Sequence, residues 1–218
     1  MNFKVLLVAL LFGAYLLVSH WVLADPVQHA QLGVALALAP PLIALVLFCL
    51  ASGWHRLIAP LMAGVVVLIW QTSAWLSTHF SWLYFLQDAG TQLCLALMFG
   101  RTLLAGQRPL CGQIAALIHG GLDAALARYT RRATKAWTGF FLAMFTVSSL
   151  LFLFAPLTAW SAFSNLLVLP LTGLMFVAEY AVRLHCLPQR RSEMRFTDTF
   201  RAYSALQRSP AGDTTGER

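Results

Sequence analysis

Five polar side chains lie along one face of a segment that is otherwise apolar, near the middle of the chain. They are Tyr84, Gln87, Asp88, Thr91 and Gln92, and their spacing of three and four residues places them on the same side of a helix. A carboxylate in apolar surroundings is costly unless it has partners, and it often marks a functional site. The spacing therefore predicts a polar cavity in which Asp88 exchanges a proton or contacts a ligand, beside the other polar groups of this stripe.

Polar residues of other apolar segments are candidate neighbours of the stripe. His20 and Asn165 fall at a similar depth once the segments are oriented in a membrane, as do Gln71 and Ser161. The alternative is structural, because such groups often serve only to hydrogen-bond neighbouring helices in small membrane bundles. The sequence leaves both interpretations open.

The composition indicates that these residues lie in a membrane. Of 218 residues, 59% are hydrophobic and 11% are charged, whereas about a quarter of the residues of a soluble domain are charged. The fold class is thus predicted to be an all-α, polytopic membrane helix bundle. The net charge of +7 comes from cations that flank the apolar segments, where anionic lipid headgroups are the nearest partners. This placement argues against nucleic acid as a partner.

Six segments are long enough to cross a bilayer core of about 30 Å, which needs roughly 20 apolar residues. If each crosses once, all fifteen Lys and Arg residues fall on one side, and that side is the cytoplasm because insertion retains these residues there. Both termini are then cytoplasmic. Residues 1–188 form the predicted transmembrane domain and 189–218 a basic, partly disordered tail. The predicted spans are residues 5–24, 32–54, 57–76, 82–104, 136–157 and 160–183.

Tryptophans near the ends of these spans are predicted to anchor them in the headgroup layer. They are Trp21, Trp54, Trp75, Trp82, Trp137 and Trp160. The first span also resembles a signal peptide, with Lys4 before it and Val22-Leu23-Ala24 at its end. Its apolar run exceeds the usual length of about 7–15 residues, which favours an uncleaved span.

The connector between the fourth and fifth spans is predicted to be a cytoplasmic amphipathic helix over residues 110–128, because its apolar residues recur at helical spacing. A cluster of cations follows directly: Arg128, Arg131, Arg132 and Lys135. These cations are predicted to contact lipid headgroups or the acidic face of a cytosolic protein.

Two further pairs of residues could interact one helical turn apart. Glu179 and Arg183 are predicted to form a structural ion pair near the inner end of the last span. His119 and Asp123 have the same spacing, and a His–Asp pair can act as a general base. A third group and a substrate pocket are not visible, so a solvated helix face is favoured over catalysis.

The sequence favours a protein that is not an enzyme, without excluding one. It contains no nucleotide-binding, zinc-protease or serine-hydrolase motif, so no catalytic residue is predicted. Its four cysteines include no CxxC pair and no Cys/His cluster with the spacing of metal ligands. No metal and no cofactor are therefore predicted.

Four strings in the second half of the chain resemble a family of uncharacterised bacterial inner-membrane proteins, often encoded in gene clusters for aryl polyene or xanthomonadin-type pigments. They are Phe99-Gly100-Arg101-Thr102-Leu103; Arg128-Tyr129-Thr130-Arg131-Arg132 with Trp137 and Phe140-Phe141; Trp160-Ser161 with Phe163 and Asn165; and Phe176-Val177-Ala178-Glu179-Tyr180. The resemblance covers residues 82–188 and implies a pathway, without an active site to carry over.

Three functions are consistent with these features. The first is an adaptor that docks cytosolic enzymes handling a long acyl or polyene lipid, as the resemblance implies. The second is a carrier or flippase for a lipid-like product, with a polar cavity around Asp88. The third is a small membrane acyltransferase, which the missing catalytic constellation disfavours.

Overall fold

A computed structural model describes residues 3–53, 55–119 and 123–186 of the chain, and within these ranges the only regular secondary structure is helical. The elements are α1 (Phe3–Ala24), α2 (Ala30–Ala51), α3 (His55–Arg101), α4 (Leu110–His119), α5 (Ala124–Phe154), α6 (Leu157–Ala162), a π-helical turn (Phe163–Leu167) and α7 (Val168–Cys186). The all-α class predicted from the sequence is confirmed.

Five helical stretches in the described residues are long and apolar enough to cross a membrane. One of them, Ile58–Arg101, has 44 residues, which corresponds to about 66 Å at 1.5 Å per residue, or twice the thickness of a bilayer core. It covers both the third and the fourth predicted spans. The backbone leaves helical geometry at His79, with φ −117° and ψ 16°, so α3 consists of two helical stretches of span length joined at this residue.

The His79 side chain stabilises this break in α3. Its ring stacks on Trp75 with a centroid distance of 4.8 Å, and its Nδ1 lies 3.1 Å from the Trp75 carbonyl oxygen. The ring thus occupies the turn in which the backbone departs from the helix. The break falls in the connector predicted between residues 76 and 82.

The predicted amphipathic helix over 110–128 is divided in two by the structure. The first part, α4, ends at His119, and α5 begins at Ala124. The sequence between them contains Gly120 and Gly121, and glycine destabilises a helix by about 1 kcal/mol relative to alanine. Asp123 then starts α5, because its Oδ1 accepts a hydrogen bond of 2.7 Å from the backbone N–H of Leu126, as an N-cap residue does.

The described chain also divides into two compact units, where the sequence predicted one transmembrane domain. The first comprises Met1–Leu95 and Phe140–Gly173, and the second comprises Ala96–Gly139 and Leu174–Arg218. The long helices α3, α5 and α7 each contribute residues to both units. The tail predicted over 189–218 lies outside the described residues.

The core of the first unit contains side chains from α1, α2, α3 and α6. They are Val22, Leu23, Ala37, Phe80, Tyr84 and Trp160. Gly33 allows the close packing of α2 on α3, because a Cβ atom at this position would overlap the Phe80 ring. Small residues at helix contacts are typical of membrane bundles, where they let backbones approach.

Two of the predicted tryptophan anchors are buried instead. Trp160 is 1% exposed and Trp137 is 5% exposed. Trp137 packs against Phe176 of the second unit at 4.6 Å between ring centroids, and Trp160 packs against Phe152 of the first unit at 5.1 Å. Position near a span end could not distinguish them from Trp21, Trp75 and Trp82, which are exposed. Trp54 is outside the described residues.

In the second unit, α4 packs against the first turns of α5. Cys111 and Ala115 contact a cluster formed by Leu126, Tyr129 and Ala133, and burial raises the pKa of the Cys111 thiol. The opposite side of α4 is apolar and exposed, with Leu117 at 76%. An exposed apolar side is expected of a helix lying at a membrane surface.

The first turn of α4 is also capped by hydroxyl groups of two other segments. The backbone N–H of Leu110 donates to Thr102 Oγ1 at 3.0 Å, and that of Cys111 donates to Thr134 Oγ1 at 3.2 Å. These N–H groups have no partner within the helix itself. The two threonines therefore fix where α4 begins within the second unit.

Candidate functional site

The two adjacent prolines of α2 create the first polar contacts of the candidate site. Pro40 and Pro41 have no N–H, so the carbonyl groups four residues earlier, those of Leu36 and Ala37, lose their donor within the helix. Helices α1 and α3 each supply a replacement. Tyr15 OH donates to Leu36 O at 3.4 Å, and Gln87 Nε2 donates to Ala37 O at 2.6 Å. In a membrane, where water cannot satisfy such carbonyls, these donors hold α1 and α3 against α2.

Asp88, the residue after Gln87 on the stripe, accepts a chain of hydrogen bonds from other helices. Ser148 Oγ of α5 donates to Asp88 Oδ2 at 2.5 Å. The same Ser148 Oγ accepts a bond of 2.9 Å from Trp160 Nε1 of α6. The Gln92 amide, one turn further along α3 and buried, also lies within hydrogen-bonding range of the Asp88 carboxyl. Because each bond in such a chain polarises the next, the chain stabilises the carboxyl more than separate contacts would.

His20 and Asn165 meet at a second polar cluster, centred on Ser161. His20 Nδ1 lies 2.9 Å from Ser161 Oγ, and Asn165 Nδ2 donates to Ser161 O at 3.1 Å. Asn165 belongs to the π-helical turn Phe163–Leu167, and such turns occur often at functional sites. Ser161 directly follows Trp160 in the chain, so α6 carries partners of both clusters.

Two hydroxyl groups near these clusters are buried without a hydrogen-bond partner of good geometry. They belong to Ser19 on α1 and Tyr84 on α3, and they lie within range of each other. Tyr84 is one helical turn before Asp88, on the same stripe. Buried polar groups are nearly always satisfied by protein or by ordered water, and a small adjustment would let these two hydroxyls bond to each other.

Thr91 is placed differently from the other members of the stripe. Its side chain is exposed, and its hydroxyl donates to the Gln87 carbonyl of its own helix at 2.6 Å. A threonine satisfied by its own backbone can face lipid at little cost, which helical spacing alone does not reveal. Gln71 is exposed as well, so neither residue joins the Asp88 or Ser161 clusters.

Sequence reasoning did not identify Ser148 and Trp160 as partners of Asp88. Ser148 lies in an apolar run with Thr146 and Ser149, and nothing in the spacing selects one hydroxyl among the three. Trp160 was assigned to the headgroup layer. The prolines were a usable signal, since the i−4 rule identifies which carbonyls of α2 need donors.

The predicted basic residues lie on one stripe of α5, at positions i, i+3, i+4 and i+7. Arg128, Arg131, Arg132 and Lys135 all have exposed side chains. Arg131 Nη2 donates to Leu103 O at 3.1 Å, and Arg128 Nε donates to the Ala124 carbonyl of its own helix at 3.2 Å. The stripe thus lies on the same continuous helix, Ala124–Phe154, that is apolar enough to span a membrane.

Glu179 and Arg183 form an ion pair on α7, with 2.8 Å between Oε2 and Nη2. Tyr129 of α5 joins it by donating its hydroxyl hydrogen to Glu179 Oε1 at 2.6 Å. Glu179 is therefore neutralised within the second unit, and the three side chains tie α5 to α7. It is the one ion pair among the described residues.

The His119–Asp123 pair stays a prediction. Asp123 Oδ1 is the N-cap of α5, which is a structural use of the carboxylate, and the His119 side chain lies outside the described residues. No group of three or more His, Cys, Asp and Glu residues in the described ranges is arranged to hold a metal ion.

No protein-family model, curated protein or solved structure shows a significant match to this chain. The resemblance to the pigment-cluster family stays a prediction based on the four sequence strings.

Proposed function

We propose that this chain is an inner-membrane accessory protein with six spans and both termini in the cytoplasm, which docks cytosolic enzymes that make or handle a long acyl or polyene lipid. The break at His79 supports six spans, since it divides a helix long enough to cross twice. The distribution of Lys and Arg supports the orientation. The family resemblance supports the lipid class.

The observation that carries the docking role is the basic stripe of α5. Four cations share one exposed face of a helix that continues into an apolar span, so their spacing is fixed by the helix and does not depend on a flexible loop. A fixed field of one sign steers and orients an acidic partner. Among the described residues, Arg128 and Arg131 donate to backbone carbonyl groups, and their exposed guanidinium groups keep further donors that can contact an acidic partner.

Charge reversal tests the docking role. The double variant Arg131→Glu/Lys135→Glu should lower the yield of cross-linked cytosolic acyl-chain enzymes by about tenfold or more, because reversed rim charges cost several kcal/mol through repulsion. In-cell cross-linking followed by mass spectrometry of the purified protein gives the measurement. These two cations belong to the stripe, and neither lines the groove between α5 and α7.

The matched control is Arg108→Glu, an exposed cation in the segment that precedes α4. It should leave cross-linking unchanged. A cytoplasmic reporter fused near residue 120 checks insertion of every variant. Equal cross-linking by the double variant and the wild type contradicts the docking role, and an outward-facing reporter contradicts the orientation.

A carrier for a lipid-like product is the second proposal, and the buried hydroxyls of Ser19 and Tyr84 favour it. They lie beside the turn that holds Asp88, and a polar route needs groups that can bind a passing headgroup or water. The adaptor requires no such groups. No feature of the described residues favours the third function, a membrane acyltransferase.

Thiol labelling tests the carrier proposal. With the four native cysteines replaced by alanine, Ser19→Cys should react with a membrane-impermeant thiol reagent added from the periplasm, because a polar route admits water to this position. In a second variant that keeps only the native Cys49, which is 2% exposed, this cysteine should stay unlabelled. Protection of both positions contradicts a route past Ser19.

A further inference from the structure

The second unit contains a groove of about 640 Å³ between the first turns of α5 and the last turns of α7. This volume lies within the range of about 300–1,000 Å³ that is typical of small-molecule sites. The docking role does not need the groove itself, although Arg128 and Arg132 of the basic stripe border it. Its lining residues are mostly small or apolar, and four of them are alanines: Ala125, Ala133, Ala136 and Ala178. The space exists because these short side chains do not fill the gap between the two helices.

The charges around the groove have one sign once the internal ion pair is taken into account. Glu179 borders the groove, but Arg183 and Tyr129 bind its carboxylate. Arg128 and Arg132 border it one helical turn apart on α5, and both are exposed. No ion pair with either arginine is formed by the described residues. The groove therefore combines an apolar floor with two guanidinium groups at its edge.

We propose that this groove binds one anionic phospholipid, with the phosphate held by Arg128 and Arg132 and an acyl chain lying over the alanine floor. Guanidinium groups bind phosphate oxygens through paired, charge-assisted hydrogen bonds. The groove also lies where α5 and α7, both apolar enough to span a membrane, carry their cations, and cations beside spans lie at the headgroup layer. An acyl chain entering from that layer lies against the alanines, Met175 and Val182, and Tyr129, Glu179 and Cys186 complete the lining.

The occupant is a lipid rather than a protein segment because the floor and the edge differ in chemistry over a short distance. A docking surface for a protein is expected to have a polar rim on all sides of its apolar centre. Here the two exposed arginines lie on the α5 side. On the α7 side the one charged lining residue, Glu179, is paired with Arg183, and Ala178 and Val182 lie beside it. This polarity matches a molecule with a charged head and an apolar chain.

Lipid binding to the purified full-length protein tests the proposal. Native mass spectrometry gives the affinity for phosphatidylglycerol and, for comparison, for phosphatidylcholine. Wild type should prefer phosphatidylglycerol. Ala178→Phe fills the floor and should weaken phosphatidylglycerol binding by about tenfold or more, as expected when a well-packed pocket contact is lost. Arg128→Gln and Arg132→Gln should each weaken it about fivefold, because each removes a hydrogen-bond donor to the phosphate.

Two control variants separate the groove from general effects on the protein surface. Ala181→Phe adds the same bulk to an exposed position of α7 that does not line the groove, and Lys135→Gln removes a charge of the same stripe outside it. Both should bind phosphatidylglycerol as the wild type does. If Ala178→Phe does not fold, Ala125→Phe fills the same groove from α5.

The proposal is overturned if filling the groove leaves phosphatidylglycerol affinity unchanged, or if wild type binds the two lipids equally. A loss of lipid binding in Ala178→Phe with unchanged enzyme cross-linking supports the groove and leaves the docking role intact. The reverse pattern is also possible. If the wild type does not bind phosphatidylglycerol but Arg131→Glu/Lys135→Glu still lowers cross-linking, the lipid proposal is rejected and the docking role stands.

Discussion

Replacing Ser148 with alanine is expected to lower the free energy of unfolding by about 2 kcal/mol, because a half-buried carboxyl and a buried indole N–H lose their partner together. Ser148 Oγ is the only atom that connects Asp88 to Trp160: it donates to the carboxylate and accepts from the indole. Alanine has the volume to replace serine without a cavity. The loss therefore measures the hydrogen bonds alone.

The adjacent residue provides the control for this variant. Ser149 Oγ is buried and has no hydrogen-bond partner, so Ser149→Ala should change stability by less than about 0.5 kcal/mol or increase it slightly. Unfolding of both variants in mixed detergent micelles gives the comparison. Equal stability of Ser148→Ala and Ser149→Ala contradicts the hydrogen-bond chain around Asp88.

Asp88→Asn separates the structural role of this residue from a titrating one. The amide oxygen can still accept from Ser148 while the group loses its proton exchange, so the fold should tolerate the change. A variant that folds normally but loses the cellular phenotype assigns Asp88 to the carrier function. A variant that keeps the phenotype assigns the carboxyl to helix packing, which is the common use of polar groups in small membrane bundles.

The presence of long apolar helices could be predicted from the sequence because the thickness of a bilayer sets the length of such segments, whereas the start of α5 at Ala124 could not. The side of α3 that carries Asp88 followed from helical spacing. On that side Gln87 and Asp88 hydrogen-bond to other helices, and Gln92 is buried. Thr91 shows the limit of the same rule. A hydroxyl can satisfy itself on its own helix, and then its position on the stripe carries no information about burial.

Partners on other helices could not be predicted, because spacing along one helix does not fix which residues of another helix it meets. Ser148 and Ser149 are adjacent in an apolar run, yet one binds Asp88 and the other has no partner. The groove could not be predicted either. It depends on the gap between α5 and α7, and on the contacts of Glu179, which is paired with Arg183 and accepts a hydrogen bond from Tyr129. Only the Glu179–Arg183 spacing was visible in the sequence.

Gln87→Leu is expected to destabilise the protein by about 1–2 kcal/mol, and Pro41→Ala is expected to remove most of that cost. In the native chain, Pro41 cannot donate to the Ala37 carbonyl, and Gln87 Nε2 does so from α3 at 2.6 Å. Alanine at position 41 restores an N–H within α2. Leucine keeps the approximate size of glutamine at position 87, so the variant removes the donor without opening a large cavity.

Pro40→Ala is the matched control for this rescue. It also restores an N–H to α2, but the carbonyl that it satisfies belongs to Leu36, whose donor is Tyr15 OH. Gln87→Leu should therefore cost as much with Pro40→Ala as it does in the native chain. The measurement is a double-mutant cycle for each proline, by unfolding in mixed micelles. A coupling energy of about 1 kcal/mol is expected for Pro41 with Gln87 and close to zero for Pro40 with Gln87. Equal coupling for the two prolines contradicts the pairing of each freed carbonyl with one side chain, since a general gain in helix stability would act on both alike.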